Sequence, residues 1–195
     1  MYIQEVIDME GSITYFDKRG KNNTGKTLEI AKSRARELGI SDIVIASTHG
    51  YSALQAAKVF DDTDTHITAV SISPTFDDVG WKMTAEERAG VEKAGVTVLT
   101  GLHALADGVA EGFFGEHTTG TIVCDTLRFF SQGVKVAVEI SIMALEAGIL
   151  APNVEIISIG GTDEGVDTAI VAIPAFARKV KEYRVLELLC KPRMA

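Results

Sequence analysis

A loop rich in small and hydroxylic residues has the clearest potential for ligand chemistry in this chain. Ser47-Thr48-His49-Gly50 follows an apolar run, and Tyr51-Ser52 opens a stretch with helical spacing. A glycine here lets the backbone approach a ligand closely, and the N–H groups that open a helix bind phosphate with help from the helix dipole. The pattern therefore predicts a phosphate-binding loop. An equally weighted alternative is structural, with Ser52 as a helix cap and Gly50 as a turn.

Other strand ends carry polar groups of the same kind. Ser71 ends a second β-type run, and Thr100 ends a third, shortly before His103. Gly161 and Thr162 follow a later run and precede Asp167 and Thr168. Because ligands of open α/β sheets bind beyond the carboxyl ends of the parallel strands, we expect one pocket for a polar, anionic ligand there. His103 is the titrating group expected nearest to that ligand, with a capping or surface role as the alternative.

A Gly-rich segment at residues 108–120 is expected to form a long loop near the site or at an interface. Arg128 lies beside this segment in the sequence. Its guanidinium is suited either to a phosphate or to a structural ion pair.

A second glycine motif competes for the phosphate. Residues 20–27 match the P-loop pattern G-x-x-x-x-G-K-[ST] in full. In a P-loop, Lys26 would reach the β- and γ-phosphates, Thr27 would bind Mg²⁺, and Asp125 would supply the acidic metal partner. A buried strand must run directly into the first glycine, yet three charged residues at 17–19 interrupt it here. The alternative is a polar turn in which Asn23 or Thr24 caps the following helix.

Composition and charge exclude several classes of partner. The chain has 195 residues and a net charge of −8 without a basic cluster, which disfavours nucleic acids and anionic lipids. Two distant cysteines and four histidines without ligand spacing predict no metal site. The longest uncharged stretch, 43–57, is too short to span a bilayer, and the N-terminus lacks the basic region of a signal peptide. We therefore expect a cytoplasmic protein that binds a small molecule and does not associate with membranes.

Alternating segments predict an α/β fold around these loops. Apolar strands without a period of two favour a parallel sheet covered on both faces. The expected elements are helices at 27–38, 52–60, from 84, and 134–147, and strands at 43–46, 67–72, 96–99, 154–159, 168–173 and 184–190. Only eight residues separate the strands 154–159 and 168–173, too few for a helical crossover, so these two should be antiparallel. The prediction is a single three-layer α/β/α domain over residues 1–195, with parallel strands first and antiparallel strands at the C-terminal end.

The loop and its surroundings resemble the carboxy-terminal alpha/beta domain of pyruvate kinase. The resemblance rests on S-T-H-G-Y-S-A-L-Q-A-A-K-V-F at 47–60, followed by H-I-T-A-V-S at 66–71. In that domain a T-x-S-G-x-S-A loop binds the phosphate of a sugar effector. The chain is further similar to a stand-alone, archaeal-type family built on this domain. The matching segments lie at 15–24, 37–40, 46–53, 124–144, 160–169 and 191–193.

The resemblance implies a flavin mononucleotide (FMN) ligand and a homo-oligomer, and it names no catalytic residue. The implied cofactor-binding residues are Asn23, Thr24, Ser47, Thr48, His49, Gly50, Tyr51, Ser52, Ser71, Thr100, His103, Arg128, Gly161, Thr162, Asp167 and Thr168. Asp167 and Thr168 are expected at the flavin ring or ribityl chain. This chain departs from the family at His49, where serine is usual, and at Ser71–Pro74, where relatives carry histidines. Two alternative functions remain open, a non-catalytic metabolite-sensing domain and a P-loop nucleotide-binding protein.

Overall fold

A computed structural model describes residues 10–115 and 117–194. This part of the chain contains seven strands and six α-helices, which alternate from β1 to β4 and are then followed by three helices and three strands. The strands are β1 (Thr14–Phe16), β2 (Asp42–Ala46), β3 (His66–Ile72), β4 (Thr97–Gly101), β5 (Ile156–Gly160), β6 (Thr168–Ile173) and β7 (Arg184–Pro192). The helices are α1 (Thr24–Leu38), α2 (Tyr51–Val59), α3 (Ala85–Lys93), α4 (Val109–Phe114), α5 (Thr119–Arg128) and α6 (Gln132–Glu146). Short 3₁₀ segments occupy Lys21–Asn23, Pro74–Val79 and Ala177–Glu182.

The strands form one mixed sheet in the order β1-β7-β6-β5-β2-β3-β4. The strands β5, β2, β3 and β4 are parallel neighbours, whereas β6 runs antiparallel to both β5 and β7. The predicted mixed sheet is therefore confirmed, including the adjacency of β2, β3 and β4 and the antiparallel pair β5 and β6.

The strand order reverses direction between β2 and β5. From β2 the chain proceeds outward to β3 and β4, and it then returns to place β5 on the other side of β2. A reversal of this kind leaves a crevice at the carboxyl ends of the two central strands, which is where open α/β sheets bind ligands. The topology therefore directs attention to the residues that follow Ala46 and Gly160.

Helices cover both faces of the sheet. On one face Leu28 of α1, Ala53 of α2 and Val91 of α3 pack against Ile45 and Ile159. On the other face α6 packs its apolar residues against β2, β3, β5 and β6. Strands buried on both sides must be apolar at every position, which explains why β2 and β5 show no alternation. The α6 segment is a buried helix, as its length and composition predicted.

The expectation of a long loop at 108–120 is wrong, because this segment contains α4 and the start of α5. Side chains at the helix ends compensate for the low helix propensity of its glycines. The Glu111 carboxylate accepts the Gly108 N–H at 2.9 Å, and the Thr118 hydroxyl accepts the Thr121 N–H at 3.2 Å. Asp125 consequently lies on a helix and not at the end of a strand.

Within residues 10–115 and 117–194, no helix combines the length and the apolar character that a membrane span requires.

Candidate functional site

The start of α2 is held closely against the sheet and α3. The Ser47 hydroxyl accepts the Ala53 N–H at 3.2 Å, so Ser47 performs the capping that the structural alternative gave to Ser52. Gly50 precedes the helix with φ of 85°, and a Cβ atom there would lie 2.8 Å from the Val91 side chain. Gly50 is thus required both for the turn and for packing against α3.

Ser52 has a different environment from that of a capping residue. Its side chain is 4% exposed, and its hydroxyl makes no hydrogen bond to the described residues. Thr162, after β5, is likewise buried and without a hydrogen-bond partner among the described residues, whereas Thr48, after β2, has no such partner but is only half-buried. Among the described residues, the fully buried side-chain oxygen without a partner is that of Thr27, so the hydroxyls of Thr48, Ser52 and Thr162 retain contact with solvent. They are therefore open hydrogen-bonding groups at the crevice between β2 and β5.

The segment 20–24 docks onto the segment 161–168 beside this crevice. The Gly20 N–H donates to the Asp167 carboxylate at 2.8 Å, and the Val166 N–H donates to the Thr24 hydroxyl at 3.1 Å. The two segments approach each other so closely that a Cβ atom on Gly165 would lie 2.5 Å from the Thr24 hydroxyl. Thr24 therefore connects two segments more than 140 residues apart in the sequence.

Lys21 places a positive charge at this junction. Its ammonium lies 4.4 Å from the Tyr51 ring centroid and 2.5 Å from the Glu164 carboxylate. The hydrogen bond with Glu164 raises the pKa of Lys21, which therefore remains charged near neutral pH. Sequence reasoning missed Lys21 because the P-loop pattern directed attention to Lys26. The signal that could have identified it is its position in the segment 15–24, which carries the family resemblance.

Asp167 and Thr168 hold the segments 20–24 and 161–168 together from within the protein interior. Both residues are fully buried, and the Thr168 hydroxyl donates to Asp167 at 2.9 Å. The Thr168 hydroxyl also lies 3.4 Å from that of Ser131, the residue before α6. With no exposed surface, these side chains position the segments 20–24 and 161–168 rather than face solvent.

A second polar group lies at the ends of β3 and β4. The Ser71 and Thr100 hydroxyls are 2.5 Å apart, and Thr100 accepts a hydrogen bond from Arg88 of α3 at 2.8 Å. Arg88 was not among the predicted site residues. The Ser71 and Thr100 hydroxyls are hydrogen-bonded to each other. They are therefore less available to a ligand than the hydroxyls at the crevice between β2 and β5.

His49 connects the loop to α3 and to the segment before it. Its Nε2 lies 2.9 Å from the Gly80 carbonyl oxygen, and its Nδ1 lies 3.2 Å from the Glu87 carboxylate. The pKa of Glu87 is lowered, first by the Thr84 backbone N–H and further by His49. The two ring nitrogens thus connect the loop to α3 and to the segment that precedes it.

The remaining predicted residues make structural contacts. His103 is hydrogen-bonded to Asp107, and its ring centroid lies 5.6 Å from that of Phe76. Arg128 pairs with Asp125 at 2.7 Å and with Gln132 at 2.8 Å, which is the structural ion pair of the two predicted alternatives. The Asn23 side chain donates to the Lys18 carbonyl at 2.7 Å and does not cap α1.

The P-loop pattern folds differently from a P-loop. The strand β1 ends at Phe16, so three residues separate it from Gly20. Lys26 is exposed in the first turn of α1, whereas Thr27 is fully buried beside Cys190. A P-loop threonine must reach a hydrated metal ion. This geometry does not allow Thr27 to do so.

A protein-family model supports the fold. The family model described as "Pyruvate kinase, alpha/beta domain" matches residues 26–172. A pyruvate kinase from Cryptosporidium parvum aligns over 78% of this chain and 23% of its own, with 13% identity and a TM-score of 0.41. A structure of Cryptosporidium parvum pyruvate kinase in complex with ADP aligns over 76% and 22%, with 14% identity and a TM-score of 0.38.

An O-ureido-L-serine synthase aligns less extensively, over 55% of this chain and 29% of its own, with 15% identity and a TM-score of 0.31. The chain thus spans less than a third of each of these structures. The family match itself covers about three quarters of the chain. The chain therefore belongs to the pyruvate kinase alpha/beta domain family.

Proposed function

We propose that the protein binds a phosphorylated cofactor, flavin mononucleotide, with the phosphate between Lys21 and the start of α2. One observation carries this proposal. The Lys21 ammonium lies against the Tyr51 ring at the start of α2, and the hydroxyls of Thr48, Ser52 and Thr162, which have no partner among the described residues, belong to the segments that follow β2 and β5 at the strand-order reversal. A phosphate offers acceptor oxygens to these hydroxyls and a further negative charge to Lys21, which already pairs with Glu164.

The donor set fits the phosphate end of FMN. The backbone N–H groups that open α2 add to the three hydroxyls as donors, and the Lys21 ammonium lies beside this helix start. A bound flavin would supply two-electron redox chemistry. The residues of this chain would bind and orient it, with Asp167 and Glu164 holding the segment that carries Lys21.

The wider assignment follows the family resemblance. We propose that the chain is an archaeal-type relative of the domain and acts in the cytoplasm. A non-catalytic sensing role for a phosphorylated metabolite would use the same phosphate site. A P-loop role is less well supported, because Thr27 is buried and Asp167 already occupies the Gly20 N–H.

Titration with FMN and riboflavin tests the proposal. FMN should bind about 100-fold more tightly than riboflavin, because one or two charge-assisted hydrogen bonds to phosphate contribute about 3 kcal/mol. Flavin fluorescence measures both affinities, and ATP with Mg²⁺ serves as the comparison ligand. Equal affinities for FMN and riboflavin would place the phosphate elsewhere, and tight binding of ATP alone would favour the P-loop.

We also propose that the protein self-associates through α4, α5 and the turn that follows. This α4–α5 surface exposes more than half of each of six large apolar side chains, Val109, Phe113, Phe114, Ile122, Phe129 and Phe130. Its four phenylalanines alone present on the order of 500 Å², against about 800 Å² per partner in a standard interface. Its one basic residue, Arg128, is paired with Asp125, which disfavours an anionic lipid surface. A second copy of the chain is therefore the proposed occupant.

Light scattering after size exclusion tests this association. The wild type should form a dimer or larger assembly, and the double variant Phe113→Asp/Phe129→Asp should be monomeric, because each charge would be buried without a partner. Met194→Asp introduces the same charge at an exposed apolar residue outside the surface and should leave the mass unchanged. A monomeric wild type, or an unchanged mass in the double variant, contradicts the assignment.

A further inference from the structure

A cavity of about 590 Å³ lies beyond β4, separate from the phosphate site. Its walls are the segment 102–106, α4 and the residues 117–120 that lead into α5. None of the phosphate-site residues Lys21, Thr48, Ser52 and Thr162 lines it. Since β3 lies between β4 and β2 in the sheet, β4 and β2 are about two strand spacings apart, roughly 10 Å. The volume falls within the range of small-molecule sites.

A histidine–aspartate pair lines this cavity. The Nδ1 atom of His103 is hydrogen-bonded to the Asp107 carboxylate, and the His103 side chain is only 20% exposed. Because a carboxylate accepts the hydrogen bond, Nδ1 carries the proton and Nε2 presents its lone pair. Nε2 has no hydrogen-bond partner among the described residues. This arrangement matches the base and the orienting carboxylate of general-base catalysis.

The segment that carries the pair is fixed in place. The Leu105 N–H donates to Glu139 at 3.3 Å, and Glu139 in turn pairs with Lys135 at 2.5 Å inside α6. Both members of this ion pair are buried. On the opposite side, a Cβ atom on Gly120 would lie 1.7 Å from the Leu105 carbonyl oxygen. The segment is therefore anchored from two helices, as a preorganised site requires.

The cavity walls define the class of ligand. Six of its thirteen lining residues have apolar side chains, namely Leu102, Ala104, Leu105, Ala106, Ala110 and Phe114. The Glu111 carboxylate accepts hydrogen bonds from Gly108 and Thr118, and the Thr118 hydroxyl is the main cause of its lowered pKa. Glu111 is thus already occupied, whereas Nε2 of His103 is an open acceptor on a ring that a carboxylate orients. An apolar ring that carries an acidic hydroxyl matches these walls.

We propose that this cavity binds a phenolic or enolic compound whose hydroxyl donates to Nε2 of His103. On binding, the O–H bond breaks and an N–H bond forms at Nε2, which gives a phenolate or enolate beside an imidazolium paired with Asp107. His103 accepts the proton, and Asp107 positions the ring. Binding of the phenolic or enolic compound in this cavity is independent of the proposed function. A role for this compound in a reaction with the flavin rests on the proposed function.

Titration with 4-nitrophenol tests the proposal, because this phenol changes colour when it ionises. The wild type should bind it saturably and raise the phenolate absorbance at constant pH. His103→Gln should weaken binding about tenfold and abolish the absorbance change, as expected for the loss of one hydrogen bond. The ether 4-nitroanisole, which has no acidic hydroxyl, should bind the wild type correspondingly less tightly.

Two variants separate proton transfer from a general loss of structure. Asp107→Asn should retain binding but reduce the phenolate signal, because the ring is no longer held in the required tautomer. His66→Gln changes a histidine of β3 that lies outside the cavity and 3.7 Å from the Asp42 carboxylate, and it should alter neither measurement. Absence of saturable binding, equal binding in His103→Gln, or equal binding of the ether would overturn the proposal.

An FMN titration on the same samples tests the proposed flavin site independently of the phenol site. His103→Gln should bind FMN as the wild type does. If the wild type binds 4-nitrophenol as described but not FMN, only the proposed function fails. If it binds FMN but not the phenol, only this inference fails.

Discussion

Replacing Lys21 with alanine should weaken FMN binding by about 10- to 100-fold, the effect of losing one charge-assisted hydrogen bond to phosphate. The fold should persist, because the Lys21 side chain is 44% exposed and its Glu164 partner is 67% exposed. Exposed ion pairs contribute little to stability. Flavin fluorescence gives the affinity, and thermal unfolding of the same sample shows whether the variant is folded.

Lys26→Ala is the matched control. It removes the same charge five residues away, in the first turn of α1, where a lysine faces the positive end of the helix dipole. FMN affinity should therefore remain unchanged, with stability equal or slightly higher. The P-loop hypothesis predicts the opposite result: Lys26→Ala abolishes binding of ATP with Mg²⁺, and Lys21→Ala does not. One set of titrations on the two lysine variants therefore distinguishes phosphate binding at the loop 47–53 from phosphate binding at the P-loop pattern 20–27.

Local patterns predicted most of the fold because local rules determine it. Strands buried on both faces are apolar throughout, and an eight-residue connection can join β5 to β6 only as an antiparallel pair. The α6 helix was distinguishable from a strand because it is too long for one. The segment 108–120 was misjudged because glycine lowers helix propensity by only about 1 kcal/mol, which the caps at Gly108 and Thr118 offset.

The candidate site was less predictable because its contacts join distant parts of the chain. Lys21 meets Glu164 across 143 residues, and Gly20 meets Asp167 across 147. No periodicity or spacing rule encodes such pairs. The loop at 47–53 was identified because a strand, a glycine and a helix start follow one another directly. The role of Asp167 depends on its complete burial, which becomes visible only when α6, β6 and the segment 20–24 are packed together.

Gly161→Ala should destabilise the protein by about 3 kcal/mol or more, the effect of forcing a methyl group into tightly packed backbone. A Cβ atom at this position would lie 2.3 Å from the Gly165 carbonyl oxygen and 2.8 Å from the Val166 Cα. Backbone atoms cannot rotate away as a side chain can. The segment 161–168 must therefore move, and with it the Asp167 carboxylate that holds Gly20.

Gly25→Ala is the control for this substitution, because a Cβ atom there meets nothing within 4 Å and Gly25 lies in the first turn of α1. It should stabilise the protein by about 0.5–1 kcal/mol through its higher helix propensity. Urea unfolding of both variants measures the two changes in the free energy of unfolding. Because the displaced segment also carries Glu164, Gly161→Ala should weaken FMN binding even under conditions where the variant remains folded, whereas Gly25→Ala should not. A Gly161→Ala variant as stable as the wild type would show that the segments 20–24 and 161–168 are not docked as described.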